Sequence, residues 1–475
     1  MHIPPSSSPP HSSASPDLHL GYIWTIAFIA AMGGLLFGYD WVVIGGAKPF
    51  YEVYFHLTSE ELIGWANSCA LLGCFAGSLL AGSAADKYGR KRLLVISAFL
   101  FALSSIFTGW AHSFNAFITW RIMGGVAIGL ASNVSPMYIA EISPAQWRGR
   151  LVSLNQLAIV VGILAAQIVN WRIAEKVPAD PLQIVLATSW NAQYGWRWMF
   201  TAVAVPAVLF LCSAPFIPES PRWLIARKNL TTAFDVLRRI GGESYAQSEL
   251  PIIQNSLATP REREDRRELF SPFGRKLLAV GAALAVLQQW SGINILFNYA
   301  QEVYRGAGYG VSEILFNIVI TGAINLIFTI IGMLLVDRSG RKRLMIFGCI
   351  LIGSSHLAAS VAYRLHAQGS WVLVLTLCAI ACYAMSLAPV TWVLITEIFP
   401  NRMRASAVSI SVAILWVASF VLTYTFPLIN RSLGTSGAFL IYSGICFAGA
   451  VFVSLTLQET KGRSLESLEE SAMHR

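Results

Sequence analysis

The sequence predicts an all-α, polytopic membrane protein of twelve transmembrane helices in two six-helix bundles. Composition, the count of long apolar segments and an internal duplication each point there. Of 475 residues, 55% are hydrophobic and only 12% charged, where soluble chains carry about 25% charged residues. Mean hydropathy is +0.58.

Crossing a hydrocarbon core takes about 20 apolar residues. Segments of that kind run over 22–46, 62–85, 93–112, 115–140, 151–171 and 196–217, then 277–301, 313–336, 344–364, 371–396, 405–428 and 437–457. Residues 1–21, rich in Pro and Ser, read as a disordered cytoplasmic tail with no cleavable signal. The first bundle covers 22–217, a helical linker 218–276, the second bundle 277–458 and a cytoplasmic tail 459–475. Within the linker, 230–240 and 245–257 have amphipathic patterns, and the mixed charges from Arg261 to Glu268 form a surface segment. Internal glycines such as Gly33, Gly34, Gly73, Gly77, Gly124 and Gly125 suit close helix contact in lipid.

The duplication is read from the loops. Asp86-Lys87-Tyr88-Gly89-Arg90-Lys91 returns as Asp337-Arg338-Ser339-Gly340-Arg341-Lys342, and the Glu141 to Arg148 stretch returns as Glu397 to Arg404. Repeated halves of this kind fit a carrier that rocks one bundle against the other. Basic residues crowd the loops holding these motifs, while Lys48, Arg172, Lys176, Arg305, Arg364 and Arg431 are scattered on the opposite side. The positive-inside bias therefore places both termini in the cytoplasm. The net charge of +9 is assigned to membrane lipid headgroups and orientation, with no nucleic acid partner.

Only two full charges are expected deep inside the segments, Asp40 and Arg121. Such groups are expensive in hydrocarbon and mark polar cavities. Burial favours a neutral carboxyl, and a guanidinium beside it favours the charged form. The pair therefore reads as a proton switch or as a structural ion pair. Gln156, Gln288, Gln289, Asn294 and Asn325 supply amides that both donate and accept, which suits a ligand rich in hydroxyls. The same amides could simply tie helices together. Gln288, Gln289 and Asn294 would converge if the helix broke at Ser291-Gly292. The seven cysteines all lie in apolar stretches without metal-ligand spacing, and read as small buried hydrophobes.

Several motifs in order resemble the sugar porter family of the major facilitator superfamily. They are Gly38-Tyr39-Asp40, Asp86 through Arg92, Arg121 with Gly124 and Gly125, Pro136 through Glu141, Arg148-Gly149, Pro218 through Leu224, Gln288 through Asn294, Pro389 through Trp392, and Glu459 through Gly462. Within that family the chain most resembles bacterial proton-coupled xylose and hexose symporters. The resemblance implies the major facilitator fold, a multi-pass place in the bacterial inner membrane, a monosaccharide and protons as partners, and no cofactor or metal. It assigns sugar contact to Gln156, Gln288, Gln289, Asn294 and Asn325, and stacking or lining to Phe37, Trp392 and Trp416. Proton coupling falls to Asp40 with Arg121. A cytoplasmic gate falls to Asp86, Arg90, Glu141, Arg148, Glu219, Arg222, Asp337, Arg341, Glu397 and Arg404, with Glu141–Arg148 and Glu397–Arg404 as expected pairs. Three positions depart from the family. Asn298 precedes Tyr299 where paired tyrosines that close the outer side are usual, so either Tyr299 gates alone or Asn298 contacts substrate; Leu415 replaces a common amide, and Ile163 stands where a related xylose carrier has glutamine and some glucose facilitators have isoleucine.

The internal repeat lets one chain hold the whole pathway, so a monomer suffices. Facilitated diffusion remains the alternative mode of transport. An enzyme would need a nucleophile, nucleotide loop or metal cluster, none of which the sequence offers. A non-transporting receptor would need a larger signalling segment than the 218–276 linker.

Overall fold

The computed structural model describes residues 18–177, 183–258, 269, 271–366, 370–400, 403–457 and 459. The expectations for residues 1–17, for the charged stretch 261–268 and for residues 460–475 lie outside the described residues. Among those described, secondary structure is helical throughout, and eleven helices are long and apolar enough to cross a membrane. One of these, Ser406–Thr456, has 51 residues, roughly 75 Å at the α-helical rise. It is broken at Gly434, where φ is +70°, so it accounts for two crossings and brings the total to twelve.

The first half comprises α1 (Leu20–Tyr54), α2 (Glu60–Tyr88), α3 (Arg90–Gly109), α4 (Phe114–Ile142), α5 (Arg148–Ile173) and α6 (Asn191–Phe216). α2 packs along α4, and α1 along α5. Small residues allow this closeness: a Cβ at Gly73 or Gly125 would strike the backbone carbonyl of Ile122 or Ala70 on the facing helix.

Two linker helices follow, α7 (Pro221–Ala226) and α8 (Leu230–Ala258). α7 starts on Pro221 behind Ser220, whose hydroxyl caps it by accepting from the Trp223 amide. α8 bends at Gly241 and Gly242, splitting it into two helices at that point. The second half contains α9 (Pro272–Trp290), α10 (Ile293–Asn298), α11 (Ala300–Arg305), α12 (Val311–Ser339), α13 (Arg341–Arg364), α14 (Ser370–Met385), α15 (Leu387–Glu397) and α16 (Arg404–Thr456). α9, α10 and α11 are one crossing broken twice. The halves meet where α2 packs on α16 and α5 on α12.

Three expectations are corrected. Asp40 and Arg121 are joined in the interior by Lys48 and Arg197, 1% and 4% exposed. α1 continues to Tyr54, two turns past the expected end of its apolar stretch, so Lys48 sits in helix and not in a loop. Arg197 lies under the end of α3, donating to the Gly109 and Ala111 carbonyls at 3.0 and 2.9 Å, a favourable place for a cation. Cys69, Cys74, Cys349 and Cys446 are buried, whereas Cys212 and Cys378 are exposed and Cys382 half-buried. Membership of an apolar stretch sets depth along the membrane normal, and the helix face decides burial.

Candidate functional site

Asp40 and Arg121 meet between α1 and α4. Both carboxylate oxygens lie 3.0 Å from the same guanidinium nitrogen, Arg121 Nη1. The two groups are 4% and 3% exposed. The geometry lacks the parallel two-nitrogen fork that makes arginine–carboxylate pairs most rigid, and Arg121 Nε is left without a partner. On its other side the guanidinium lies 5.4 Å over the Phe200 ring. Gly124 adjoins the pair: a Cβ there would lie in ordinary contact, 3.7 Å, with Asp40 Oδ2 and closer, 3.2 Å, to Ser104 Oγ.

In the opposite half, α9 ends at Trp290 and the chain turns through Ser291 and Gly292 before α10. Gly292 has φ +83°, a left-handed conformation that suits glycine. The break folds Asn294 back onto Gln289. Asn294 Nδ2 donates to Gln289 Oε1, Gln289 Nε2 to Gln288 Oε1 at 2.8 Å, and Gln288 Nε2 to the Tyr383 hydroxyl at 2.9 Å. The buried histidine His356 of α13 reaches the freed carbonyl of Ser291 at 2.8 Å. No sequence pattern pointed to His356. Only the break gives it a partner.

Aromatic rings close the space between the halves. Phe37 lies 5.8 Å from Trp416 and 5.9 Å from Trp41, and Trp41 lies 5.9 Å from Trp416. Trp416 is 2% exposed with its indole N–H unpartnered. The only sequence signal for Trp41 is that it adjoins Asp40; its place among these rings comes from packing. Trp392 and Gln156 are half-buried, and Asn325 is buried on α12. Asn298 is buried with its carbonyl oxygen unpartnered. Its neighbour Tyr299 donates to the Thr423 carbonyl at 2.7 Å. Ile163 and Leu415 are buried as well.

The basic end carries two similar charge clusters. Arg90 pairs with Asp86 at 3.1 Å and with Glu141 at 3.0 Å. Glu219 Oε1 accepts from the Arg90 and Lys91 amides at 2.9 and 3.2 Å, a carboxylate seated on a helix N-terminus. In the other half Arg341 lies 3.5 Å from Glu397, and Glu459 Oε1 accepts from the Arg341 amide at 2.8 Å. The sequence places Glu459 in a motif, and only the packing sets it at this helix start. The expected Glu141–Arg148 pair is not formed. Glu141 instead accepts from the Ser220 hydroxyl and pairs with Arg90, while Arg148, the first residue of α5, is exposed. Arg404 donates to the Phe399 carbonyl at 3.1 and 3.0 Å. Arg222 is exposed, with Ser256 Oγ at 3.4 Å. The side chain of Asp337 lies outside the described residues. Among the described residues, no cluster of His, Cys, Asp and Glu is arranged to hold a metal.

The family described as "Sugar (and other) transporter" matches residues 26–472. The chain is 36% identical to the D-xylose-proton symporter of Escherichia coli (strain K12), over 94% of its own length and 95% of the relative's. It is 34% identical to the arabinose-proton symporter of Bacillus subtilis (strain 168), over 98% of each. Among solved structures it superposes on the xylose transporter XylE from E. coli in a partially occluded inward open conformation. That match has a TM-score of 0.83 and 34% identity, covering 94% of this chain and all of the other.

Proposed function

The chain belongs to this sugar transporter family and is a multi-pass membrane protein, and on that premise we propose that it is a proton-coupled monosaccharide symporter working by alternating access. The substrate class is xylose or a glucose-like sugar. The observation that carries the reading is the buried Asp40–Arg121 pair held by one nitrogen, in the half facing the amide chain.

Protonation at an Asp40 carboxylate oxygen removes the charge that Arg121 Nη1 holds, which loosens α1 from α4. Release of that contact frees α1 and α4 to shift within the first half, and proton binding thereby biases the balance between the two arrangements of the halves. The amide chain from Asn294 to Tyr383 spans the break in α9–α10. Sugar hydroxyls replace these bonds one for one, as amides both donate and accept. Gln156 and Asn325 add further amides, Asn298 offers an unpartnered carbonyl oxygen, and Phe37, Trp392 and Trp416 present flat surfaces to the apolar faces of the ring. Leu415 puts alkyl surface where the family commonly has an amide, and Ile163 does so where a related xylose carrier has glutamine, so discrimination among sugars rests on fewer hydrogen bonds than in that carrier.

The basic loops face the cytoplasm by the positive-inside rule, which makes the Arg90 and Arg341 clusters the inward gate and places both termini inside. The protein acts as a monomer in the bacterial inner membrane, with lipids around it.

The test is uptake by purified protein in liposomes, using a panel of pentoses and hexoses with and without an imposed inward proton gradient. A sugar that overshoots its equilibrium level only under the gradient supports symport. Equilibration without overshoot for every sugar would make the protein a facilitator.

A further inference from the structure

The seam between the halves buries a second charge that the sugar and proton scheme leaves unused. The ammonium of Lys48 on α1 pairs with Glu302 on α11 of the other half. It also lies 2.9 Å from Glu52, one turn along its own helix. The Tyr299 ring stands 5.1 Å beneath it. Lys48 is 1% exposed, and Glu52 and Glu302 are 16% and 27% exposed. The backbones are drawn close at this place: a Cβ at Gly45 would strike the carbonyl of Phe297. At the same end, Ser312 of α12 accepts from the Val177 amide at 2.9 Å and donates back to its carbonyl at 3.3 Å. At the basic end, among the described residues, the pairs Arg90–Asp86, Arg90–Glu141 and Arg341–Glu397 each stay within one half.

An ammonium buried at a moving seam poses a physical problem. A pair that crosses the seam breaks whenever the halves part, and a buried charge left unpaired is strongly unfavourable. Lys48 has two carboxylates on different bodies, and one of them travels with it. We propose that Lys48, Glu52 and Glu302 form an exchange latch at the outer mouth. With the mouth closed, Glu302 holds Lys48 across the seam. With the mouth open, Glu52 keeps the ammonium paired and Glu302 faces water. The latch rests on the alternating-access reading, but it concerns the balance of the two states and not the proton or the sugar.

The latch gives two neighbouring carboxylates opposite effects. Glu302→Gln removes the crossing partner and favours the open mouth. Glu52→Gln removes the travelling partner and favours the closed one. A static cluster would be harmed alike by either change. The measurement is the spin-label distance between His56→Cys and Ser432→Cys, both exposed at this end in different halves. Cys212, Cys378 and Cys382 are replaced first, being the exposed and half-buried native thiols. Wild type is expected to show a short and a long distance. Glu302→Gln should raise the long-to-short ratio roughly tenfold or more, and Glu52→Gln should lower it. Should a glutamine variant not fold, Glu302→Asp and Glu52→Asp withdraw the same carboxylates by one methylene and carry the same opposed signs. Shifts of the same sign, or no shift beside two distances in wild type, would overturn the latch alone. A single distance in wild type with and without sugar would overturn the alternating-access reading as well.

Discussion

At the basic end, the first half seats Glu219 on the opening amides of α3 and the second half seats Glu459 on that of α13, with Arg90 and Arg341 each facing a glutamate. Midway through the membrane the halves differ. α1 runs unbroken for 35 residues and buries an ion pair with α4. Its counterpart at the start of the second half breaks at Gly292 and again at Tyr299, and carries neutral amides. The shared ends need the same device, an anion neutralising a helix start. The unlike middles fit the proposed division of labour, with a buried ion pair in one half and neutral amides suited to sugar hydroxyls in the other.

If that division holds, its two sides fail differently when mutated. The largest effect is expected for Arg121→Leu, which leaves Asp40 buried without its partner and costs about 3–5 kcal/mol; a fall in melting temperature of the purified protein reads it. Asp40→Asn should abolish accumulation against a gradient while sugar counterflow exchange continues and sugar affinity stays within about threefold; accumulation by this variant would move the proton role elsewhere. Asn294→Ala should do the reverse. Removing one hydrogen-bonding amide, at about 0.5–1.5 kcal/mol net, is expected to weaken sugar binding several-fold in a titration while coupling in the remaining flux persists. Gly292→Ala places a Cβ against the Tyr442 ring at a left-handed position, costing about 1–2 kcal/mol from backbone conformation alone. It should lower both melting temperature and sugar affinity. The smallest effects belong to the shared ends. Glu219→Gln and Glu459→Gln each weaken a charge at a helix start, about 0.3–1 kcal/mol, and their shifts in melting temperature should match.

Much of the fold was legible because lipid imposes long apolar segments, and the paired Asp86 and Asp337 motifs gave the repeat. Helix breakers were legible too: Ser291-Gly292 is where the crossing divides and where Gln289 and Asn294 meet. The Asp40–Arg121 contact could be expected because each charge needed a partner. What escaped was information carried by faces and helix ends. Lys48 looked like a loop residue because its stretch of polarity begins near the boundary, yet α1 extends past it and Glu302 arrives from far along the chain. Trp41, His356 and Glu459 gain their partners only from tertiary packing. The Glu141–Arg148 pairing failed for the same reason, since Arg90 from a neighbouring helix start reaches Glu141 first.

The proposed division, protons on the Asp40–Arg121 pair and sugar on the amide chain, is tested most directly by following external pH while sugar enters lightly buffered proteoliposomes down its own gradient. Wild type is expected to alkalinise the medium on adding a transported sugar, and Asp40→Asn is expected to give no pH change while still exchanging sugar. Sugar entry by wild type with no movement of protons would contradict the coupling assigned to Asp40 and Arg121.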